Sequence, residues 1–413
     1  MAFDIETIRK QFPILNTSVN GRQLIYFDNA ATTQKPKVMI DTLVDFYSNY
    51  NANIHRGIHS LANKATEAYE KTRQLIAQIY KVKPQQIIFT KNDTESINLI
   101  IQSLGKQILK NKKSNIVITE VEHHSNIVPW HLLRHEIDFE IRYLEFDENG
   151  ILETDSLSRV IDRDTQFLSF TWASNTFGLI YDAKKIIRIA RQLNPNIIVL
   201  VDAAQYVPHS IFDFQEIDAD FITFSAHKMC GPTGVGILIG KKNLLEQMQP
   251  FLGGGDMIKE VSKYRTTFND LPYKFEAGTP NIADVIAFGA SLRYLLEIGF
   301  ENIQAYEQEL AQYLIDKIQE LDFVDIYGTT HDTSRVIKLP ILSFNVRGVH
   351  AHDVGHLLDE DGIAVRAGHH CTQLIMQKLR IPATVRASLY FYNTKSEIDA
   401  FIHSLKKIYD IFK

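Results

Sequence analysis

At 413 residues the chain is longer than one ordinary hydrophobic core supports, so a large α/β domain with a smaller companion is the expected organisation. Its 45% hydrophobic and 23% charged residues exclude a disordered or collagen-like chain. The formal net charge of -5, with lysines and arginines dispersed along the chain, leaves no basic face for a polyanion and argues against nucleic acid as a partner.

Residues 1–10 carry acids and no unbroken apolar core, and no later run approaches bilayer-spanning length, so neither a signal peptide nor a membrane segment is expected. The two cysteines, Cys230 and Cys371, each lie near glycines and basic residues and form no disulfide-like framework, which favours a reducing, cytoplasmic setting.

In chain order, short β-rich runs alternate with helical stretches: Gln86–Thr90, Asn115–Thr119, Phe167–Thr171, Asn196–Val201 and Asp220–Phe224. Continuous apolar runs of this length, separated by helices, predict parallel strands buried on both faces of an α/β layered domain. Beyond Gly278-Thr-Pro280 long helical periodicity follows, Ala283–Ile298 and Ile303–Leu321, then strands near Pro340–Val346 and a last helix from Ser396. The expected division is a large domain over 22–280 and a small α+β domain formed by 281–413 with residues 1–21.

Ligands of such sheets gather beyond the carboxyl ends of the strands, so the residues just after each run are the place for chemistry. After the first run, Thr94 opens an apolar helix whose free amides suit a phosphate, or it is an ordinary N-cap. After the second, His123 could stack over a ring or shuttle a proton, or be a polar loop residue. Asp202, in Asp202-Ala-Ala-Gln205, could keep a pyridine nitrogen protonated, or serve as a turn residue. In Ser225-Ala-His-Lys228-Met-Cys-Gly-Pro-Thr-Gly-Val-Gly236, Lys228 could form an imine with an aldehyde cofactor, and the glycines let backbone approach a ring and phosphate; taken alone it could be a solvated turn.

Four such features at strand ends belong together, and with them the segments Tyr26–Thr32, His55–His59, Glu120–Trp130, Gly253–Asp256, Gly278–Asn281 and Arg366-Ala-Gly-His-His-Cys371 resemble the SufS-type cysteine desulfurases nearly end to end. That group lies in the class V aminotransferase branch of pyridoxal-phosphate (PLP) fold type I. The resemblance implies a PLP-dependent transferase fold with a mostly parallel seven-stranded sheet between helices, and an obligate homodimer. It implies Lys228 as the Schiff-base lysine, Asp202 as partner of the pyridinium nitrogen, His123 as the stacking ring and Gln205 on the phenolic oxygen. Thr94, Ser225 and His227 resemble phosphate ligands, with Thr279 supplied by the other subunit. The resemblance further implies Asn175, Arg386, Arg366 and His55 as substrate-side residues, with Arg386 forking onto a carboxylate.

Cys371 has its own argument: Arg366, His369 and His370 stand close in sequence, and positive charge among them would favour a thiolate. Cys230 is expected to be packing. Three positions depart from the family. Asn92 and Asp93 stand where small residues usually precede the phosphate threonine; Asp93 is therefore a cofactor-side residue through its backbone, its side chain expected to turn away or cap the helix. Leu374 replaces a common proline and is expected to loosen the catalytic loop. The histidines His350, His352 and His356, and the run His369-His370-Cys371, lack the paired spacing of a zinc site, so no metal is expected and Asp353 should cap the helix that follows.

The implied reaction takes L-cysteine to L-alanine, leaves a persulfide on Cys371, and passes the sulfur to a SufE- or SufU-like acceptor for iron-sulfur cluster assembly. Rivals on the same scaffold are a selenocysteine lyase or a cysteine sulfinate desulfinase. An ordinary aminotransferase has no use for a cysteine at this position, and a non-catalytic assembly scaffold would not turn over cysteine.

Overall fold

Seven strands make the main sheet of the computed structural model, which describes residues 3–110, 112–328 and 337–413. They are β1 (Ile87–Thr90), β2 (Asn115–Thr119), β3 (Glu140–Leu144), β4 (Thr165–Thr171), β5 (Ile198–Asp202), β6 (Phe221–Ser225) and β7 (Gly236–Gly240). Their order is β1-β7-β6-β5-β4-β2-β3, parallel throughout except for β7, which runs antiparallel to both neighbours. Every residue of β2, β5, β6 and β7 is buried, as two covered faces require. This is the α/β architecture with a seven-stranded sheet that the sequence led us to expect. The periodicity reading did not find β3, a half-polar edge strand (EIRYL), or β7, which begins at Gly236, the last residue of the lysine motif, and ends at Gly240.

The helices that place the site are α1 (Lys37–Asp45), α2 (Ser60–Ile79), α3 (Asp93–Ile100), α4 (Ile282–Ile298), α5 (Phe300–Gln319), α6 (Ala351–Glu360), α7 (Gln373–Leu379) and α8 (Lys395–Phe412). α4 lies against α1 and α2, and its Val285, Phe288, Leu292 and Leu295 join the largest apolar cluster. A second cluster fills the other side of the main sheet around Ile97, Ile118, Trp130 and Leu238. A third lies under a four-stranded antiparallel sheet of order β8-β9-β11-β10, made of β8 (Val324–Tyr327), β9 (Ile341–Val346), β10 (Arg366–Gly368) and β11 (Thr384–Ser388).

α5 joins the two regions: Phe300 and Ile303 belong to the first cluster, Leu310, Leu314 and Ile318 to the third. The N-terminal segment places Ile8, Phe12 and Leu15 in the first cluster, while Arg9 pairs with Glu397 of α8 at 2.8 Å; its residues 1–2 lie outside the described ones. Among the described residues no helix is long and apolar enough to cross a membrane.

Two local constraints set the edge of the site. A Cβ on Gly236 would lie 2.3 Å from the Asn92 carbonyl carbon, so only glycine lets β7 pass under the start of α3. On α2, Arg73 is fully buried and grips Glu276 with both terminal nitrogens, 2.7 and 2.8 Å, while Nη1 also donates to Ile87 O. Glu276 in turn accepts from Phe89 N at 2.8 Å, which ties α2, β1 and the Tyr273–Pro280 loop together. Removing the guanidinium strands a buried carboxylate, so Arg73→Ala should cost about 3–5 kcal/mol in urea unfolding; a loss below about 1 kcal/mol would mean the loop is held by other contacts.

Candidate active site

The carboxyl ends of β1, β2, β5 and β6 converge, as a mostly parallel sheet dictates, on a cavity of about 240 Å³. Its wall brings together Asp93, Thr94, His123, Asn175, Asp202, Gln205, Ser225, His227, Lys228, Arg366 and Arg386, which were singled out from places far apart in the sequence. Lys228 ends the short turn Ala226–Lys228 that follows β6. Burial pulls its amine below the usual lysine range; the carboxyls of Asp202 and Asp93 oppose this, and the charges of Arg386 and Arg366 add to it. Asp202, the last residue of β5, accepts from Ala204 N at 3.0 Å, yet burial holds its carboxyl above the usual range. A lysine that is readily neutral beside a carboxylate is suited to bond with an aldehyde while the carboxylate balances a ring cation.

The start of α3 differs from expectation. Neither Asp93 nor Thr94 caps it: Asn92 does, accepting from Glu95 N at 2.9 Å, which leaves the Thr94 hydroxyl exposed and free of the cap. Asp93 does not turn away either. Its side chain is buried in the cavity wall with Oδ1 unpartnered among the described residues, because its backbone N–H is fixed to Ser225 Oγ at 2.8 Å. Burial, and then the charge of Asp202, raise the Asp93 carboxyl well above its ordinary value, against the opposing Thr223 hydroxyl and Lys228 charge, which lessens the repulsion an aspartate would offer a phosphate.

His123 accepts from Ser125 N through Nδ1 at 3.1 Å, and burial lowers its pKa to about 3, so a neutral ring faces the cavity. His227 is lowered to about 3 for the same reason, and its carbonyl gathers Lys35 Nζ and the Thr33 hydroxyl. Gln205 is buried with Oε1 unpartnered among the described residues. Arg386, on β11, is buried: Nη2 donates to Asp28 Oδ1 at 2.8 Å, Nη1 to Asn175 O at 3.1 Å, and Nε has no partner among the described residues. Unpartnered polar atoms from Asp93, Gln205 and Arg386 around one small cavity, with the amides of α3 at its edge, fit a phosphorylated, polar aromatic group together with an amino-acid carboxylate.

The cysteine loop is held from both sides. Asn175 Nδ2 donates to His370 O at 2.8 Å, His124 N to Cys371 O at 2.8 Å, and Cys371 N to His369 Nδ1 at 3.1 Å. Arg366 Nη2 lies 3.5 Å from Cys371 Sγ and is the positive charge beside the sulfur. His370 does not share that role: burial lowers its pKa to about 2, and Nε2 meets Thr384 Oγ1 at 2.8 Å. Leu374 packs against the apolar cluster at the start of α7, so it anchors the segment after the cysteine. Cys230 is fully buried, and burial raises its thiol to about 12.

Two expected residues stand apart within the single chain. His55, bonded through Nε2 to Glu70 at 3.0 Å, lines a separate cleft with Arg56, Asp256, Gly278 and Pro280, and Thr279 is exposed beside it. Asp28 was missed: it lies in the motif Tyr26–Thr32, but its pairing with Arg386 across 358 residues has no sequence signature. Glu122 was missed too; it is fully buried, with its pKa raised to about 8 by burial, and it accepts from Asn126 Nδ2 at 2.7 Å and Thr171 N at 2.8 Å. For the histidine set, His350 Nδ1 accepts from His352 N and caps α6 in place of Asp353.

The Aminotransferase class-V family matches residues 25–401. A "Probable cysteine desulfurase" of Streptomyces coelicolor is 43% identical over 414 residues, covering 99% of this chain and 98% of that protein. A solved "Apo structure of Cysteine Desulfurase from Thermococcus onnurineus NA1" superposes with a TM-score of 0.91 at 35% identity, covering 98% of each chain. The cysteine desulfurase CsdA from Escherichia coli gives 0.91 at 33% identity over the whole of both chains.

Cys371 has φ 58° and His370 φ 51°, so two side-chain-bearing residues in succession are left-handed. Relief of that strain should make Cys371→Gly more stable than Cys371→Ala by about 1 kcal/mol in thermal or urea unfolding, and equal stabilities would show that the loop relaxes.

Proposed function

The chain belongs to the class-V aminotransferase family, and on that premise we infer that it is a PLP-dependent cysteine desulfurase that takes sulfur from L-cysteine as a persulfide on Cys371 and releases L-alanine. The observation that carries the assignment is a half-buried lysine that shares one cavity with a strand-end aspartate and with Arg366, whose guanidinium reaches the Cys371 sulfur.

When bound, PLP supplies an aldehyde that joins an amine and a ring that draws electrons from the substrate Cα. Lys228 is the amine that would hold it, and the low basicity caused by burial leaves Nζ able to take and return the Cα proton. Asp202 would balance the ring nitrogen, the neutral His123 ring would stack on it, and Gln205 would serve the phenolic oxygen. Thr94 with its backbone amide, Ser225 and His227 would hold the phosphate, Asp93 lying behind them with its own amide on Ser225 Oγ, and in a homodimer Thr279 of the partner subunit would complete the site. Arg386 binds the substrate carboxylate, its Nε being the donor still without a partner, while Asn175 and Arg366 orient the substrate; His55 completes the substrate side. Cys371 Sγ then forms a bond to the substrate sulfur as the S–Cβ bond breaks; the electron pair stays on Cβ and takes a proton, giving alanine.

Cys371 is partly accessible, as a group that must hand its sulfur onward needs to be. A small SufE- or SufU-like protein is the proposed acceptor, and iron-sulfur cluster assembly the proposed use. With PLP-loaded protein, L-cysteine and dithiothreitol, equal amounts of alanine and sulfide are expected. Lys228→Ala should lose at least about a thousandfold of that rate. Cys371→Ala should fail on cysteine yet keep alanine release from cysteine sulfinate or selenocysteine; full activity of Cys371→Ala on cysteine would overturn the assignment of the sulfur acceptor.

A further inference from the structure

The peptide that joins His227 to Lys228 draws an unusual number of donors to its oxygen. His227 O accepts from Thr33 N, Thr33 Oγ1 and Thr32 Oγ1, each at 3.1 Å, and from Lys35 Nζ at 2.8 Å. A carbonyl has two lone pairs, so four donors crowd one oxygen. The Thr33 hydroxyl also accepts from Cys230 N at 2.8 Å. One side chain thus spans the backbone from the residue before Lys228 to the second residue after it.

This backbone is held against its preference. Cys230 has φ 57°, a left-handed conformation that persists in a residue with a side chain only where its neighbours over-determine it. Thr33 takes its N–H, and Ser291 Oγ of α4 donates to its carbonyl at 2.9 Å. Lys35 is half-buried and makes no ion pair among the described residues; beyond His227 O it reaches only Thr32 Oγ1, at 3.5 Å. Burial lowers its amine to about 8. A lysine taken from water to face a carbonyl instead of a carboxylate is a poor way to stabilise a loop. The segment that carries Thr33 and Lys35 is fixed in turn: Asp28 pairs with Arg386 at 2.8 Å, and Gln34 N donates to the Tyr392 hydroxyl at 2.8 Å.

We propose that Thr33 and Lys35 are positioning residues that together fix the backbone on either side of Lys228, so that its amine reaches the cofactor aldehyde and, later, the substrate Cα from one anchor. This rests on the assignment of Lys228 made above. Lys228 serves two positions on one flexible stem, and a displacement of about 1 Å at its anchor is worth about a hundredfold in rate.

The test compares wild type with Thr33→Val, Thr33→Ser and Lys35→Met, and with Lys228→Ala as control. The first readout is the rate at which the absorption band of the lysine-bound cofactor appears when PLP is added to apoprotein. The second is kcat and KM for alanine release from L-cysteine per bound PLP, beside the same measurement with α-deuterated cysteine. Thr33→Val and Lys35→Met should form the band about tenfold more slowly and lose about tenfold or more in kcat with KM within about twofold. Their deuterium effect should exceed that of wild type, because proton transfer at Cα becomes the slower step. Thr33→Ser keeps the hydroxyl and should match wild type.

If Thr33→Val and Lys35→Met keep the wild-type rates and deuterium effect, or lose only melting temperature, the clamp is overturned; a change in one alone removes the other residue from it. Should Thr33→Val not fold, Lys35→Met decides. If Lys228→Ala forms the same band, the assignment of Lys228 itself fails and the clamp with it.

Discussion

Removal of the Lys228 amine from water, beside two carboxyls and within reach of two arginines, is the constraint from which the rest of the site follows. Taking a charge out of water is costly, so the amine gives up its proton more easily than a surface lysine, and only partners already in place make the burial tolerable. The groups that set this balance come from separate elements: the stabilising carboxyls of Asp202 from the tip of β5 and Asp93 from the start of α3, and the like-charged Arg386 and Arg366 from the four-stranded sheet. The site therefore exists only when the main sheet and the C-terminal sheet are docked. α5, with apolar residues in both clusters, and Arg386, bonded to Asp28 and Asn175, make that docking specific.

The cysteine loop obeys a different constraint. Its two left-handed residues are held in place by Asn175, His124 and His369, all of which bond its backbone. That leaves the Cys371 sulfur beside Arg366, with the charge of Arg386 also within its reach. Histidine charge is not what conditions the sulfur from His370, whose ring is buried and neutral against Thr384.

Much of this was legible in the sequence, because chemistry in a parallel sheet concentrates at strand ends and those ends carry recognisable residues: Thr94, His123, Asp202 and Lys228 were found by position before any resemblance was invoked. What stayed hidden depends on contacts between distant segments. Asp28 and Glu307 look like ordinary surface acids in their local runs, and only the fold brings Asp28 to Arg386 and Glu307 to His209. The sense of Asp93 was misread because the cap was assigned to the wrong residue; Asn92 takes the cap and turns Asp93 inward. β3 and β7 escaped periodicity because one is a half-polar edge and the other is framed by Gly236, which the Asn92 backbone demands, and Gly240, which the Phe221 and Leu245 side chains crowd.

The most direct test is peptide mapping by mass spectrometry of the holoenzyme after a single exposure to L-cysteine without reductant. One added sulfur atom is expected on the peptide containing Cys371 and none on that containing Cys230, with the signal removed by a thiol reductant. Alanine formed with no sulfur on Cys371, or sulfur carried by Cys230, would contradict the account.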